Sequence, residues 1–178
     1  LEDAGRAKLG HHLKYDAHVL RNHGIELRGM RYDSMLESYV LNSTATRHDL
    51  DSTAKLYLGV DTIHYEDVAG KGAKQLPFSE VPVERAAEYS AEDSDVSLRL
   101  HHALWSQIER LPRVRKLYEE IEQPLVPVLL DMEHLGVLID TAMLRKQSHE
   151  IAKSLLALEQ AAHAAAGAPF NLDSPKQL

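Results

Sequence analysis

Cysteine is absent from the 178-residue chain, which removes both a disulfide framework and any thiolate metal site. A reducing, cytoplasmic setting is the expectation that fits. Long apolar runs are absent as well. No stretch approaches the roughly 18 apolar residues of a membrane-spanning helix, so no membrane partner is expected. Basic charge is in deficit: 27 acidic residues face 20 basic ones, for a net charge of −7 with His neutral. That balance argues against coating duplex DNA through a broad basic face. It leaves room for an enzyme that grips one strand end through metal ions held by carboxylates. The opening residues Leu1-Glu2-Asp3-Ala4 carry neither an initiator Met nor a charged-then-apolar signal pattern. At the other end, Ser174-Pro175 announces a helix that the last residues are too few to complete. Both ends read as cut, and the chain is expected to be a piece of something longer.

What is present reads as globular. The apolar content of 44% is ordinary for a folded domain, and the length suits one domain or one domain plus part of another. The spacing predicts a strand over 7–11, a helix over 13–23 closed by Gly24, and a strand over 25–32. Asp33 caps a helix to Leu41. A short helix is expected over 51–58 and a loop over 67–77. The strongest periodicity runs over 83–109, where Val83, Ala86, Ala87, Ala91, Val96, Leu100, Ala103 and Leu104 approximate one helical face. A second apolar helix over 117–135 should be kinked or broken near its middle by Pro124 and Pro127. Asp140 then caps a long helix to Ala166, with Gly167 after it. The expectation is a mostly helical α/β chain with too few strands for a self-sufficient sheet.

Two segments could carry chemistry. In Tyr89-Ser90-Ala91-Glu92-Asp93 the spacing of four places Tyr89 and Asp93 on one helical face. A carboxylate there can hold a divalent ion, and a phenol one turn earlier can orient an attacking water. Glu84, Glu88, Glu92 and Asp95 crowd the same stretch, so from spacing alone a solvated acidic patch is the better explanation. In Gly10-His11-His12-Leu13-Lys14-Tyr15-Asp16, Asp16 stands near a helix start, where an acid commonly serves only the helix end.

Taken together, Gly-x-x-Leu-Lys-Tyr-Asp followed far downstream by Tyr-x-x-x-Asp resembles the second and third exonuclease motifs of the bacterial DNA polymerase I family. The resemblance continues in order through Ile25-Glu26-Leu27-Arg28-Gly29, Asp33-Ser34-Met35-Leu36-Glu37-Ser38-Tyr39, Arg47-His48-Asp49 and Gly70-Lys71-Gly72. It extends to Ile121-Glu122-Gln123-Pro124-Leu125-Val126-Pro127-Val128-Leu129, Phe170-Asn171-Leu172 and Lys176-Gln177-Leu178, and so covers essentially the whole chain. It implies a ribonuclease-H-like α/β exonuclease domain over 1–112, truncated at its N-terminus. Residues 113–178 would be the start of a polymerase domain at the base of the thumb. The implied activity is proofreading: two-metal hydrolysis of the 3′-terminal phosphodiester of DNA in replication and repair. The implied ions are Mg²⁺, with Mn²⁺ or Zn²⁺ as alternatives. The implied partners are a single-stranded 3′ end and, for the parent enzyme, a primer-template; the parent is expected to be a monomer.

Carried over residue by residue, the resemblance makes Asp93 and Asp16 metal ligands and Tyr89 the residue that orients the water. His12, Arg47 and Tyr65 become contacts to the strand. The family usually has Asn where His12 stands. Its first motif, Asp-x-Glu on a strand, belongs upstream of Asp16, where this chain has no match. The one Asp-x-Glu here, Asp131-Met132-Glu133, falls in a helix that puts its side chains about 200° apart, so it reads as a decoy. The fragment alone is accordingly expected to be nearly inactive. Polymerase chemistry is expected to lie beyond Leu178.

Two other readings compete. His48-Asp49 with His11, His12, His18 and His23 suggests an HD-type metal phosphohydrolase. The apolar stripe over 117–166 suggests a non-catalytic helical interaction module. No HExxH pattern occurs, and Gly70-Lys71-Gly72 lacks the spacing of a P-loop.

Overall fold

The structure, a computed structural model, describes residues 1–176; Gln177 and Leu178, part of the last stretch of family resemblance, lie outside the described residues. The chain forms two compact units, Leu1–Leu135 and Gly136–Leu178.

The first unit opens with a β–α–β turn of chain: β1 (Lys8–Gly10), α1 (Leu13–Asn22) and β2 (Met30–Asp33). The strands pair in parallel, with Leu9 opposite Tyr32 and Gly10 opposite Asp33. Parallel pairing needs a crossover, and α1 supplies it. The second strand is shorter than the pattern over 25–32 predicts. The Ile25 N–H bonds back to the Leu20 carbonyl, closing α1. Gly29 then turns the chain at φ +72°, where a Cβ would sit 2.5 Å from the Arg6 carbonyl oxygen. Extended pairing therefore begins only at Met30.

Helices follow: α2 (Ser34–Leu41), α3 (Leu50–Leu58), α4 (Tyr65–Ala69), α5 (Val83–Ile108), α6 (Pro112–Leu117) and α7 (Gln123–Leu135). Helix α3 starts at Leu50 because Asp49, not a residue inside the helix, caps it: its carboxylate accepts the Ser52 N–H at 2.8 Å. The expected loop over 67–77 contains the end of α4 and a 3₁₀ turn, Gly72–Lys74. Val68 and Ala69 are buried there with Val81, and that burial stabilises a helix too short to stand alone.

Helix α5 is the spine. Its second half buries Val96, Leu100, Leu104 and Ile108, and Ala54 of α3 joins the first three in one cluster with Leu41, Leu50 and Tyr57 around it. The face expected from Val83 onward is buried only from Val96; Val83 itself is 77% exposed. A second cluster joins Leu13 and Ala17 of α1 to Leu27 and Leu130.

Pro124 and Pro127 do not break the helix at its middle. The irregularity lies one turn earlier, in the π-helical turn Tyr118–Glu122, where the Gln123 N–H reaches the Tyr118 carbonyl. The wider turn accommodates the missing donor and the ring of Pro124.

In the second unit, α8 (Thr141–Ala166) is capped by Asp140, whose carboxylate accepts the Met143 N–H at 2.9 Å. It closes on Gly167 in the left-handed region. Among the described residues, no helix is long and apolar enough to cross a membrane.

Candidate active site

A cleft of about 640 Å³ opens where the carboxyl ends of the strands meet α3 and α5; Gly10, His12, Asp16, Arg47, Tyr89 and Asp93 are among its lining residues. Loops at the carboxyl ends of parallel strands are where open α/β sheets form their crevices.

One buried carboxylate organises that end. Asp33 is 2% exposed. It accepts the His12 and Leu13 N–H groups at 2.9 and 2.8 Å, and that of Met35 at 3.0 Å. It thus caps α1 and α2 together, satisfying donors that neither helix could satisfy itself. The Asp33 N–H in turn donates to the buried Tyr118 hydroxyl at 2.8 Å. With the start of α1 fixed this way, Asp16 in its first turn lines the cleft. Sequence reasoning assigned Asp33 only the capping of α2. Its reach to α1 depends on the two strands lying side by side.

Tyr89 and Asp93 come from α5. The phenol lies one helical turn before the Asp93 carboxylate and interacts with it electrostatically. Burial first, then the Asp93 charge, push the Tyr89 hydroxyl up to about 12, so it stays a neutral donor at physiological pH. Asp93 is pushed above the ordinary carboxylate value by burial, the opposing effect of Tyr89 notwithstanding, with Asp51 and Glu92 adding to the rise. Asp16 is pushed up by burial and by Asp33, with His12 acting the other way.

Arg47 lies at the rim, 84% exposed, its guanidinium 3.0 Å from the Asp49 carboxylate. Burial pushes Asp49 up, but hydrogen bonds from Ser52 and the Arg47 charge outweigh it and hold the carboxyl below its usual value. Tyr65 does not line the cleft. It stands beside it, its ring centroid 6.3 Å from that of Tyr89.

Two histidines in the cleft wall are the positive-φ residues other than glycine among those described: His12 at +66° and His48 at +62°. Non-glycine residues held there cluster at functional sites. The His48 ring bonds the Ser38 hydroxyl at 2.9 Å and the Ser43 carbonyl at 3.1 Å. His11 bonds Ser34 and the His48 carbonyl, each at 2.9 Å. These imidazoles are committed to structure, which removes the basis of the HD-type reading. Asp51 was not singled out from sequence. It lines the cleft and is held by the Thr62 hydroxyl at 2.7 Å and His64 Nδ1 at 2.8 Å.

The Asp-x-Glu decoy is elsewhere. Asp131 pairs with Arg21 at 2.7 Å, and Glu133 pairs with Lys14 and, at 3.0 Å, with His18. Although their Cα–Cβ directions diverge on α7, the long Arg21 and Lys14 side chains of α1 reach both carboxylates.

The cleft fits a divalent ion in kind. Asp16 and Asp93 offer hard oxygen donors, each raised first by burial and then by neighbouring negative charge, the second of which a cation would relieve. It falls short in number: among the described residues, no group of three or more His, Cys, Asp or Glu is placed to hold a metal.

Comparison with known proteins accounts for this arrangement. Residues 1–109 match the family model described as 3′-5′ exonuclease of the family-A DNA polymerases. The whole chain is 54% identical to DNA polymerase I of Pseudomonas aeruginosa, covering 20% of that protein. It is 40% identical to DNA polymerase I of Rhizobium leguminosarum, covering 17% of it. The chain thus spans about a fifth of the length of the curated relatives it matches. Among solved structures it superposes on the POL domain of the M. smegmatis polymerase in complex with DNA primer-template and dNTP. That match has a TM-score of 0.73 at 27% identity and covers 99% of this chain and 27% of the other. With the match extending from before Asp16 to beyond Asp93, this chain belongs to the 3′-5′ exonuclease family of the family-A DNA polymerases.

Proposed function

We propose that the cleft is the proofreading 3′→5′ exonuclease site of a DNA polymerase I-type enzyme, acting on the single-stranded 3′ end of DNA. The observation that carries this is the gathering of Asp16 with Tyr89 and Asp93, a pair far downstream of it in sequence, into one cleft. The domain is read as ribonuclease-H-like over 1–112, in keeping with the parallel β–α–β start. Residues 113–178 are read as the beginning of the polymerase domain, at the base of its thumb. Primer-template binding, a monomeric state and a cytoplasmic, nucleoid-associated location belong to this reading of the whole protein.

Asp93 and Asp16 would hold divalent ions, Mg²⁺ in the first instance, with further carboxylates from an Asp-x-Glu strand. Such ions, when bound, supply Lewis-acid activation of water and neutralisation of charge at the phosphodiester. The Tyr89 phenol, neutral throughout the physiological range, orients the attacking water by hydrogen bonding. Arg47 at the rim offers a bidentate guanidinium to a backbone phosphate. His12, at the mouth of α1, contacts the terminal nucleotide, and Tyr65 contacts the strand beside the cleft.

The test is separation of activities in the full-length protein. Asp16→Ala and Asp93→Ala should each lower trimming of a 5′-labelled single strand by a factor of roughly 10³ or more, with primer extension preserved. Retention of trimming in either variant contradicts the assignment.

A further inference from the structure

Three aromatic rings from three elements meet beside the cleft: Tyr65 at the start of α4, Phe78 in the 3₁₀ turn Phe78–Glu80, and Tyr89 in α5. The Tyr65 and Phe78 rings stack with centroids 5.9 Å apart and 25° between their planes. Tyr89 meets both edge-on, at 6.3 Å from Tyr65 and 6.1 Å from Phe78. Offset stacks and edge-to-face contacts are the arrangements that ring quadrupoles favour. The small core beneath, Val68, Ala69 and Val81 with Ile63, Ala86 and Tyr89 packed on it, closes without Phe78 or Tyr65. Both remain open to solvent, Phe78 at 38% and Tyr65 at 40%. Filling the interior therefore does not explain why Phe78 is held where it is.

We infer that Phe78 is a positioning residue for the exonuclease reaction: stacked on Tyr65 and abutting Tyr89, it completes one aromatic platform on which a nucleobase of the single strand rests beside the phenol that orients the water. The inference rests on the proposed function and adds a residue to it. Every base has a π face, so stacking grips any 3′ sequence, as trimming of arbitrary mismatches requires. The chain's net charge of −7 gives it no broad basic face to do the same work. Phe78 also limits the swing of both tyrosines. A base seated on Tyr65 and the hydroxyl of Tyr89 are thereby held in one register.

The experiment uses the full-length protein and a single-stranded oligonucleotide ending in 2-aminopurine, whose fluorescence falls on stacking. Binding is read in EDTA, cleavage in Mg²⁺. Phe78→Leu should lose most of the quenching, lower kcat and raise KM by about tenfold, the equivalent of roughly 1.4 kcal/mol of stacking. Phe78→Tyr should restore all three. Tyr65→Leu combined with Phe78→Leu should lose little more than either alone, because the platform is shared. A Phe78 with a merely structural role would lower the melting temperature and leave quenching and KM unaltered. That result, or additive losses in the double variant, overturns the inference. Asp93→Ala in the same assay separates the two levels. Loss of trimming there with unchanged Phe78→Leu kinetics and quenching refutes the platform alone, whereas trimming that survives Asp93→Ala refutes the exonuclease reading.

Discussion

His12 holds two roles that pull against each other. Its backbone sits in the left-handed region at φ +66° so that its N–H can reach Asp33, while its side chain lines the cleft. Asn, which the family usually carries there, enters that region readily and keeps a polar side chain. His12→Asn is expected to leave the fold intact, raise the melting temperature by about 1–2 °C, and preserve or improve trimming in the full-length protein. Calorimetry and the oligonucleotide assay check both halves. Asp93 makes a second residue-scale prediction. Its folded-state carboxyl titrates above the ordinary value, so the folded chain holds that proton more tightly than the unfolded one. The contribution is fully present below the unfolded value and is lost as pH rises through the raised one. Without metal, Asp93→Asn should therefore stabilise the fold at pH 7 by roughly 1–2 °C and change little near pH 3. Equal shifts at both pH values would contradict this. Because the Tyr89 hydroxyl is pushed to about 12, a rise in trimming rate between pH 7 and 9 should survive in Tyr89→Phe, at a lower absolute rate.

Between elements, the decisive link runs from the π-helical turn to the head of the site. Tyr118 is 1% exposed, and its hydroxyl accepts the Asp33 N–H while facing the Arg31 carbonyl at 3.3 Å. Tyr118→Phe would leave a buried N–H without its partner, at a cost of about 1–3 kcal/mol. The melting temperature should fall by roughly 2–10 °C, and trimming should weaken because Asp33 no longer holds α1 and α2 firmly; an unchanged melting temperature would count against the link. Such a link was not legible in sequence. Asp33 before a helix announces a cap, but nothing local shows that the same carboxylate reaches back to His12 and Leu13, or that Tyr118 anchors it from far along the chain. The second half of α5, the glycine stops and the Asp140 cap were legible because each depends on neighbours within a few residues. The misplaced features were those that tertiary contact decides. Strand β2 is shortened by Gly29 against the Arg6 carbonyl, α4 forms over a small core, and a π turn relocates the disturbance expected at the prolines. Of the site, Asp16, Tyr89 and Asp93 were legible through the ordered family motifs. Asp51 was not, since no spacing rule connects α3 to α5.

For the molecule as a whole, the net negative charge fits the proposed grip on a strand end, because the cleft concentrates its carboxylates where cations would sit. Asp16, Asp49, Asp51 and Asp93 all line it, yet among the described residues no three ligands converge on one point. The proposed exonuclease site thus needs carboxylates beyond those converging in this cleft. The most direct measurement is Mg²⁺-dependent trimming of a 5′-labelled single strand. It compares the 178-residue chain with the same chain joined to an upstream Asp-x-Glu strand, each with and without Asp93→Ala. Activity is expected only in the joined chain with Asp93 intact. Robust trimming by the 178 residues alone, or by the joined chain carrying Asp93→Ala, would contradict it.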